Sequence, residues 1–126
     1  MGHVVVDAEL AGARKERVRV LVDTGATYSV LPADLAKRLR ITEAPRRLKV
    51  RLADGRRKSV RVGTVFVRVL GREAAGTTLI GPPGIDPLLG VEALEALGLA
   101  VDPTSRKLKP TRGHAVLLVS IRGSHG

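Results

Sequence analysis

The chain has 126 residues, 44% of them hydrophobic and only 2% aromatic, with no cysteine and a net charge of +10. That length suits one domain, residues 1–126, burying roughly 65–70% of the surface its unfolded chain exposes, in a core of Val, Leu, Ile and Ala. The missing cysteine excludes disulfides, zinc–thiolate sites and thiol catalysis, and no apolar run approaches the ~20 residues of a membrane-spanning helix.

The first element is a strand candidate, "HVVVDAEL", followed by the turn "AGARKE" with Gly12 as its punctuator. "RVRVLVDTG" sets Arg17 and Arg19 against Val18, Val20 and Val22, the period of a half-buried strand. Together they predict a hairpin whose second arm runs into Asp23. After Pro32, "ADLAKRLR" places Leu35 and Leu39 four apart, which predicts a short helix. "RRLKVRL", "ADGR" and "RKSVRVGTVFVRVLG" predict a long hairpin turning at Asp54-Gly55, and "TTLIG" a further strand. "PPGIDP" reads as a rigid loop leading into "LLG". "VEALEALG" predicts a second helix stopped by Gly98. "LAVDP" and "HAVLLVSIRG" close the chain as strands, the last at about 114–122. The count favours an all-β domain with one or two short helices.

Within "LVDTGATYSVLP" a carboxylate interrupts an apolar strand. Glycine after it lets the backbone turn tightly and aim N–H groups at the acid. The flanking Leu21, Val22, Val30 and Leu31 raise the cost of leaving that charge unpaired. One acid cannot both activate a water and protonate a leaving amine. Two aspartates about 3 Å apart share a proton and divide the work, the logic of aspartic proteases.

The segment "LVDTGATYSVLP" resembles the active-site loop of retropepsin-like aspartic proteases, single-domain relatives of pepsin. The resemblance extends to Leu88-Leu89-Gly90 before "VEALEALGL", the hydrophobic-hydrophobic-Gly segment that packs under the catalytic loop in that family. "GTTLIGPPGID" is similar to the family's strand and substrate-pocket loop. The hairpin of about 46–62, turning at Asp54-Gly55, stands where the family has its flap. The likeness runs roughly from Val4 to Pro103. It implies a closed acid-protease-type β-barrel and, with one Asp-Thr-Gly in the chain, a twofold homodimer. It also implies catalytic roles for Asp23, Thr24 and Gly25, with Thr24 holding the two loops together across the axis. Ala26, Ala53, Asp54, Gly55, Ile85 and Leu88 would contact substrate. The terminal strands "HVVVDAEL" and "HAVLLVSIRG" are candidates for an intersubunit sheet. Retroviral members pair an acid after the loop with a base after the second glycine; here Thr27 and Val91 stand there, and Glu92 replaces the usual Asp or Asn.

The expected activity is therefore an aspartic endopeptidase acting on peptide or unfolded protein, with no cofactor and no metal. The alternative is a non-catalytic dimeric module of the same fold that binds protein or a polyanion through its basic surface. Basic residues spread over many strands without interleaved aromatics read as solvated faces more than as a nucleic-acid site. The start "MGHVVVDAEL" lacks a basic leader, so the expectation is a cytoplasmic protein without a membrane partner. His3, His114 and His125 lack acids at metal-ligand spacing, and Ser29 lacks a Gly-x-Ser-x-Gly context.

Overall fold

The computed structural model describes residues 4–111. It is built from strands and two short helices. The strand expected at 114–122 and the three histidines lie outside the described residues.

Strands β1 (Val4–Ala11) and β2 (Lys15–Val22) form the first hairpin, in register from Val4↔Val22 to Ala11↔Lys15. The β2 alternation points Val20 and Val22 into the core and leaves Arg17 and Arg19 exposed. The Asp23 loop follows, then β3 (Ser29–Pro32) and α1 (Ala33–Leu39). Helix α1 buries Leu35, Ala36 and Leu39, the face its four-residue spacing predicts. It ends on Arg40 in the left-handed region, and the β1–β2 turn completes its cap. The Arg14 and Ala13 N–H groups donate to the Leu39 and Arg40 carbonyls at 3.0 and 3.3 Å. Gly12 makes that approach possible: a Cβ there would sit 2.6 Å from the Leu39 carbonyl oxygen.

Five strands follow: β4 (Thr42–Glu43), β5 (Leu48–Arg51), β6 (Arg57–Val60), β7 (Val62–Val69) and β8 (Arg72–Gly81). Next come β9 (Leu88–Leu89), α2 (Val91–Leu97), β10 (Leu99–Val101) and β11 (Leu108–Pro110). The main sheet has the order β1-β2-β9-β3-β8-β7-β4. Because β1 also pairs with β7, from Glu9↔Arg68 to Ala11↔Phe66, the pairings return to the first strand. Their common interior holds Leu10, Val20, Leu31, Val65, Val67 and Leu89. Each leucine buried there contributes about 1.5–3 kcal/mol. From the side, α1 adds Leu39 and α2 adds Leu94 and Leu97 to the same core.

The long hairpin expected over "RRLKVRL" to "RKSVRVGTVFVRVLG" is shorter and divides in two. Its arms are β5 and β6, a separate two-stranded sheet in register from Leu48↔Val60 to Arg51↔Arg57. At Arg61 the chain leaves it: the Arg61 carbonyl accepts the Ile80 N–H at 3.0 Å and the Val62 carbonyl the Ala44 N–H at 2.7 Å. These bonds commit the rest of the run to the main sheet as β7. "TTLIG" is likewise the second half of a longer strand, β8, which begins at Arg72 after a tight turn. In that turn Leu70 and Gly71 take φ of 53° and 75°, a two-residue connection between Val69 and Arg72. A leucine at positive φ is strained by about 1–2 kcal/mol, and this one is 68% exposed, so packing does not offset the strain. Leu70→Asn is therefore expected to raise stability by about 1 kcal/mol, or roughly 3–5 °C in a thermal melt. A variant melting at or below the parent would contradict that reading.

Exposed carboxylates tie surface elements together. Arg38 donates from Nε and Nη2 to Glu16 at 3.1 and 3.0 Å, and Arg61 donates to both Glu43 oxygens. These side-chain hydrogen bonds hold Glu16 and Glu43 below the usual carboxylate range. The Gly84 N–H does the same for Asp34, which it meets at 3.2 Å, fastening the Pro82–Pro87 loop to α1. Folded pKa values below unfolded ones mean that this stabilisation is complete above the unfolded values, about 4, and is lost as pH falls through the folded ones. The melting temperature should be level above about pH 5 and fall below about pH 4. A melting temperature that rises on acidification below pH 4 would show the sign to be wrong.

Candidate active site

Asp23 stands immediately after β2, and three hydrogen bonds fix it. Its N–H donates to the Leu89 carbonyl at 2.9 Å. Its carbonyl accepts the Ala26 N–H at 3.2 Å, closing the loop over Thr24 and Gly25. Its Oδ1 accepts the Gly25 N–H at 2.8 Å. Glycine suits that last position because a Cβ would lie 3.2 Å from Oδ1. The carboxylate is half-buried, whereas Thr24 and Gly25 are exposed. The loop thus has a packed underside and an open face.

Leu88-Leu89-Gly90 forms the underside. Strand β9 is inserted between the two arms of the Asp23 loop, parallel to β2 (Leu21↔Leu88, Val22↔Leu89) and antiparallel to β3 (Val30↔Leu88). Leu89 is 2% exposed, and Leu88 is half-buried. The backbone of α2's first residues then reaches up to the loop: Val91 N–H to Ala26 carbonyl at 2.7 Å, Glu92 N–H to Thr27 carbonyl at 2.9 Å. At Gly90 the strands come so close that a Cβ would lie 2.6 Å from the Tyr28 carbonyl carbon and oxygen. Ser29, 2% exposed, accepts the Gly90 N–H on Oγ at 3.2 Å, so its hydroxyl is a brace within the fold.

Where retroviral members would place an ion pair, Thr27 and Val91 meet the neighbouring element through backbone alone. Glu92 supplies a side-chain anchor instead: its Oε1 accepts the Thr77 N–H of β8 at 2.7 Å. One residue therefore ties α2 to β8 through its side chain and to the Asp23 loop through its backbone.

Ala53, Asp54 and Gly55 lie together, exposed, at the tip of the β5–β6 hairpin. Asp54 shapes the turn, accepting the Arg56 N–H on Oδ1 at 2.9 Å and Arg56 Nε on Oδ2 at 2.6 Å, and Gly55 takes φ 88°. Ile85 folds back onto Gly81, where a Cβ would lie 2.7 Å from its Cδ1. A groove of about 440 Å³ opens between the hairpin and the main sheet, lined on one side by Val50, Leu52 and Val60 and on the other by Val30, Ile80 and Pro82. Asp23, Thr24, Gly25, Ala26, Ile85, Leu88 and the three tip residues do not line it; from the hairpin, Val50, Leu52 and the consecutive Lys58, Ser59 and Val60 do. Sequence reasoning missed Val30 and Ile80. The available signal was their position, one just after the Asp-Thr-Gly loop and one at the end of "TTLIG".

The Asp-Thr-Gly loop is thus locked from beneath by the inserted Leu-Leu-Gly strand, and the β5–β6 hairpin borders a separate groove on the main sheet. The sequence model of the aspartyl protease family matches residues 6–93, and the chain belongs to that family. The match takes in the Asp23 loop, the hairpin and Leu88-Leu89-Gly90. No curated protein sequence matches the chain. Among the described residues no helix is long and apolar enough to cross a membrane, and no cluster of His, Asp and Glu could hold a metal ion.

Proposed function

We propose that the protein is a retropepsin-like aspartic endopeptidase, active as a twofold homodimer whose circuit of strands acts as one barrel per subunit. The observation that carries this is the form of the Asp23 loop: a single carboxylate with a rigid backbone support below and an open face above. A chain with one such acid completes the catalytic pair by meeting a second copy.

In the dimer the two Asp23 carboxyls share one proton, because like charges about 3 Å apart cannot both ionise. The ionised member takes a proton from the water between them as its oxygen attacks the scissile carbonyl carbon. The protonated member gives its proton to the carbonyl oxygen. When the tetrahedral centre collapses, the C–N bond breaks, the nitrogen leaves with a proton from the dyad, and one hydroxyl of the tetrahedral centre returns its proton to the dyad as the new carboxyl forms. Thr24, exposed on the open face, holds one loop against the other. Substrate lies extended in the groove, bound by main-chain hydrogen bonds with alternate side chains in apolar pockets. The β5–β6 hairpin closes over it and excludes water.

The test combines sedimentation with a peptide-library digest over a range of pH. The reading expects a monomer–dimer equilibrium, specific activity that falls on dilution through that equilibrium, and a bell-shaped rate profile on the acid-to-neutral side. Cleavage by a strictly monomeric species would sink it. Salt-dependent polyanion binding with no cleavage of any peptide would favour a binding module instead.

A further inference from the structure

The hairpin that roofs the groove is strongly and unevenly charged. Between Arg46 and Arg61 the chain carries eight basic residues and one acid. Two of the eight are engaged: Arg56 with Asp54, and Arg61 with Glu43 outside the hairpin. The remaining six make no ion pair among the described residues. Four of these cations, Arg46, Lys49, Arg51 and Arg57, stand outside the groove lining, as a solvated strand face should. Lys58 does not. It stands directly opposite Val50 in the β5–β6 register and shares that residue's face, and both line the groove. Arg47 lines it as well, near enough to Glu43 to help lower that carboxyl's pKa. The groove therefore has apolar walls and, at Lys58, an ammonium without an acidic partner.

We infer that Lys58 is a specificity-determining residue, and that the groove selects extended peptides carrying an acidic side chain next to apolar ones. The inference rests on the proposed protease reading for its groove, but binding can be measured apart from cleavage. A glutamate laid under the hairpin would meet Lys58 in a space from which hairpin closure removes water, so the pair is screened less than on an open surface. The surrounding cations add long-range attraction and speed encounter with acidic chains at low salt. A glutamine in the same place gains neither effect. A basic side chain there is repelled.

The experiment uses Asp23→Asn protein, which binds without turnover, and two fluorescein-labelled decapeptides, one alternating valine with glutamate and one valine with glutamine. Fluorescence anisotropy should show the glutamate peptide bound about three- to tenfold more tightly at low salt, the preference shrinking as salt is raised. Lys58→Met, made in the same background, should bring the two peptides within about twofold, and Lys58→Glu should abolish or invert the order. Arg14→Glu, in the exposed β1–β2 turn, changes net charge as much as Lys58→Glu and should keep the preference. Equal affinities for the two peptides, including no binding of either, would overturn the inference. So would a preference that survives Lys58→Glu or is lost equally in Arg14→Glu. If the preference holds while wild-type protein cleaves neither these peptides nor a library, the protease reading alone fails.

Discussion

Asp23→Asn is expected to leave the fold in place and to lower kcat/KM on peptides by at least about 10³-fold, the scale on which positioned acid–base groups act. The fold should survive because asparagine keeps an Oδ1 that can accept the Gly25 N–H, while the main-chain bonds to Leu89 and Ala26 are untouched. The chemistry should not survive, because an amide neither takes a proton from water nor shares one with the opposite carboxyl. Subunit mixing makes a sharper form of the test. In the proposed dimer, equilibrating equal amounts of parent and variant chain would leave only about a quarter of dimers with two aspartates, so activity per parent chain should fall by roughly half. Activity per parent chain that stays constant on mixing would mean that each subunit works alone. Retained cleavage by the pure variant would remove Asp23 from the mechanism.

The second large effect is expected at Gly90. Its backbone lies at φ −94° and ψ 179°, an extended conformation open to any residue, so the obstacle to a side chain is space alone. A Cβ would stand 2.6 Å from the Tyr28 carbonyl carbon and oxygen and 2.9 Å from the Ala26 carbonyl oxygen. All three are backbone atoms of the Asp23 loop, so no flexible side chain can yield. Gly90→Ala must push β9 and α2 off the loop, stretching the Val91-to-Ala26 and Glu92-to-Thr27 bonds. A destabilisation of about 3 kcal/mol or more is expected, at the upper end for overpacking, with activity lost even in molecules that fold. Gly55→Ala is the useful contrast. That glycine has nothing within 4 Å but sits at φ 88°, so the cost is conformational and about 1 kcal/mol. Denaturant unfolding of both variants checks the pair; a Gly90→Ala loss no greater than that of Gly55→Ala would refute the steric argument.

Much of the fold around Asp23 was legible in the sequence because its parts speak in local patterns. The β2 alternation and the helix formers of α1 and α2 each signal one element, and Asp-Thr-Gly with Leu-Leu-Gly marks both halves of the loop and its support. The break at Arg61 was hidden because the alternation of "RKSVRVGTVFVRV" runs on through it. What divides β6 from β7 is pairing with Ile80 and Ala44, and neither partner is visible locally. The Leu70-Gly71 turn was hidden for the opposite reason: leucine is a poor residue for positive φ, so its local preference argues against the conformation it adopts. Strand β11, three residues with two exposed, carries too short a pattern to register. The groove lining was hidden because Val30, Val50 and Ile80 come from three separate strands.

The insertion of β9 also bears on how the protein comes into being. Leu21 and Val22 can find Leu88 and Leu89 only after more than half of the chain has been synthesised, and such distant parallel pairing is slow to form. A nascent chain emerging from the ribosome therefore carries its acidic loop unsupported until Gly90 is out. The proposed hydrolytic capacity is therefore expected only once β9 is in place, and a product truncated before residue 88 is expected to lack it.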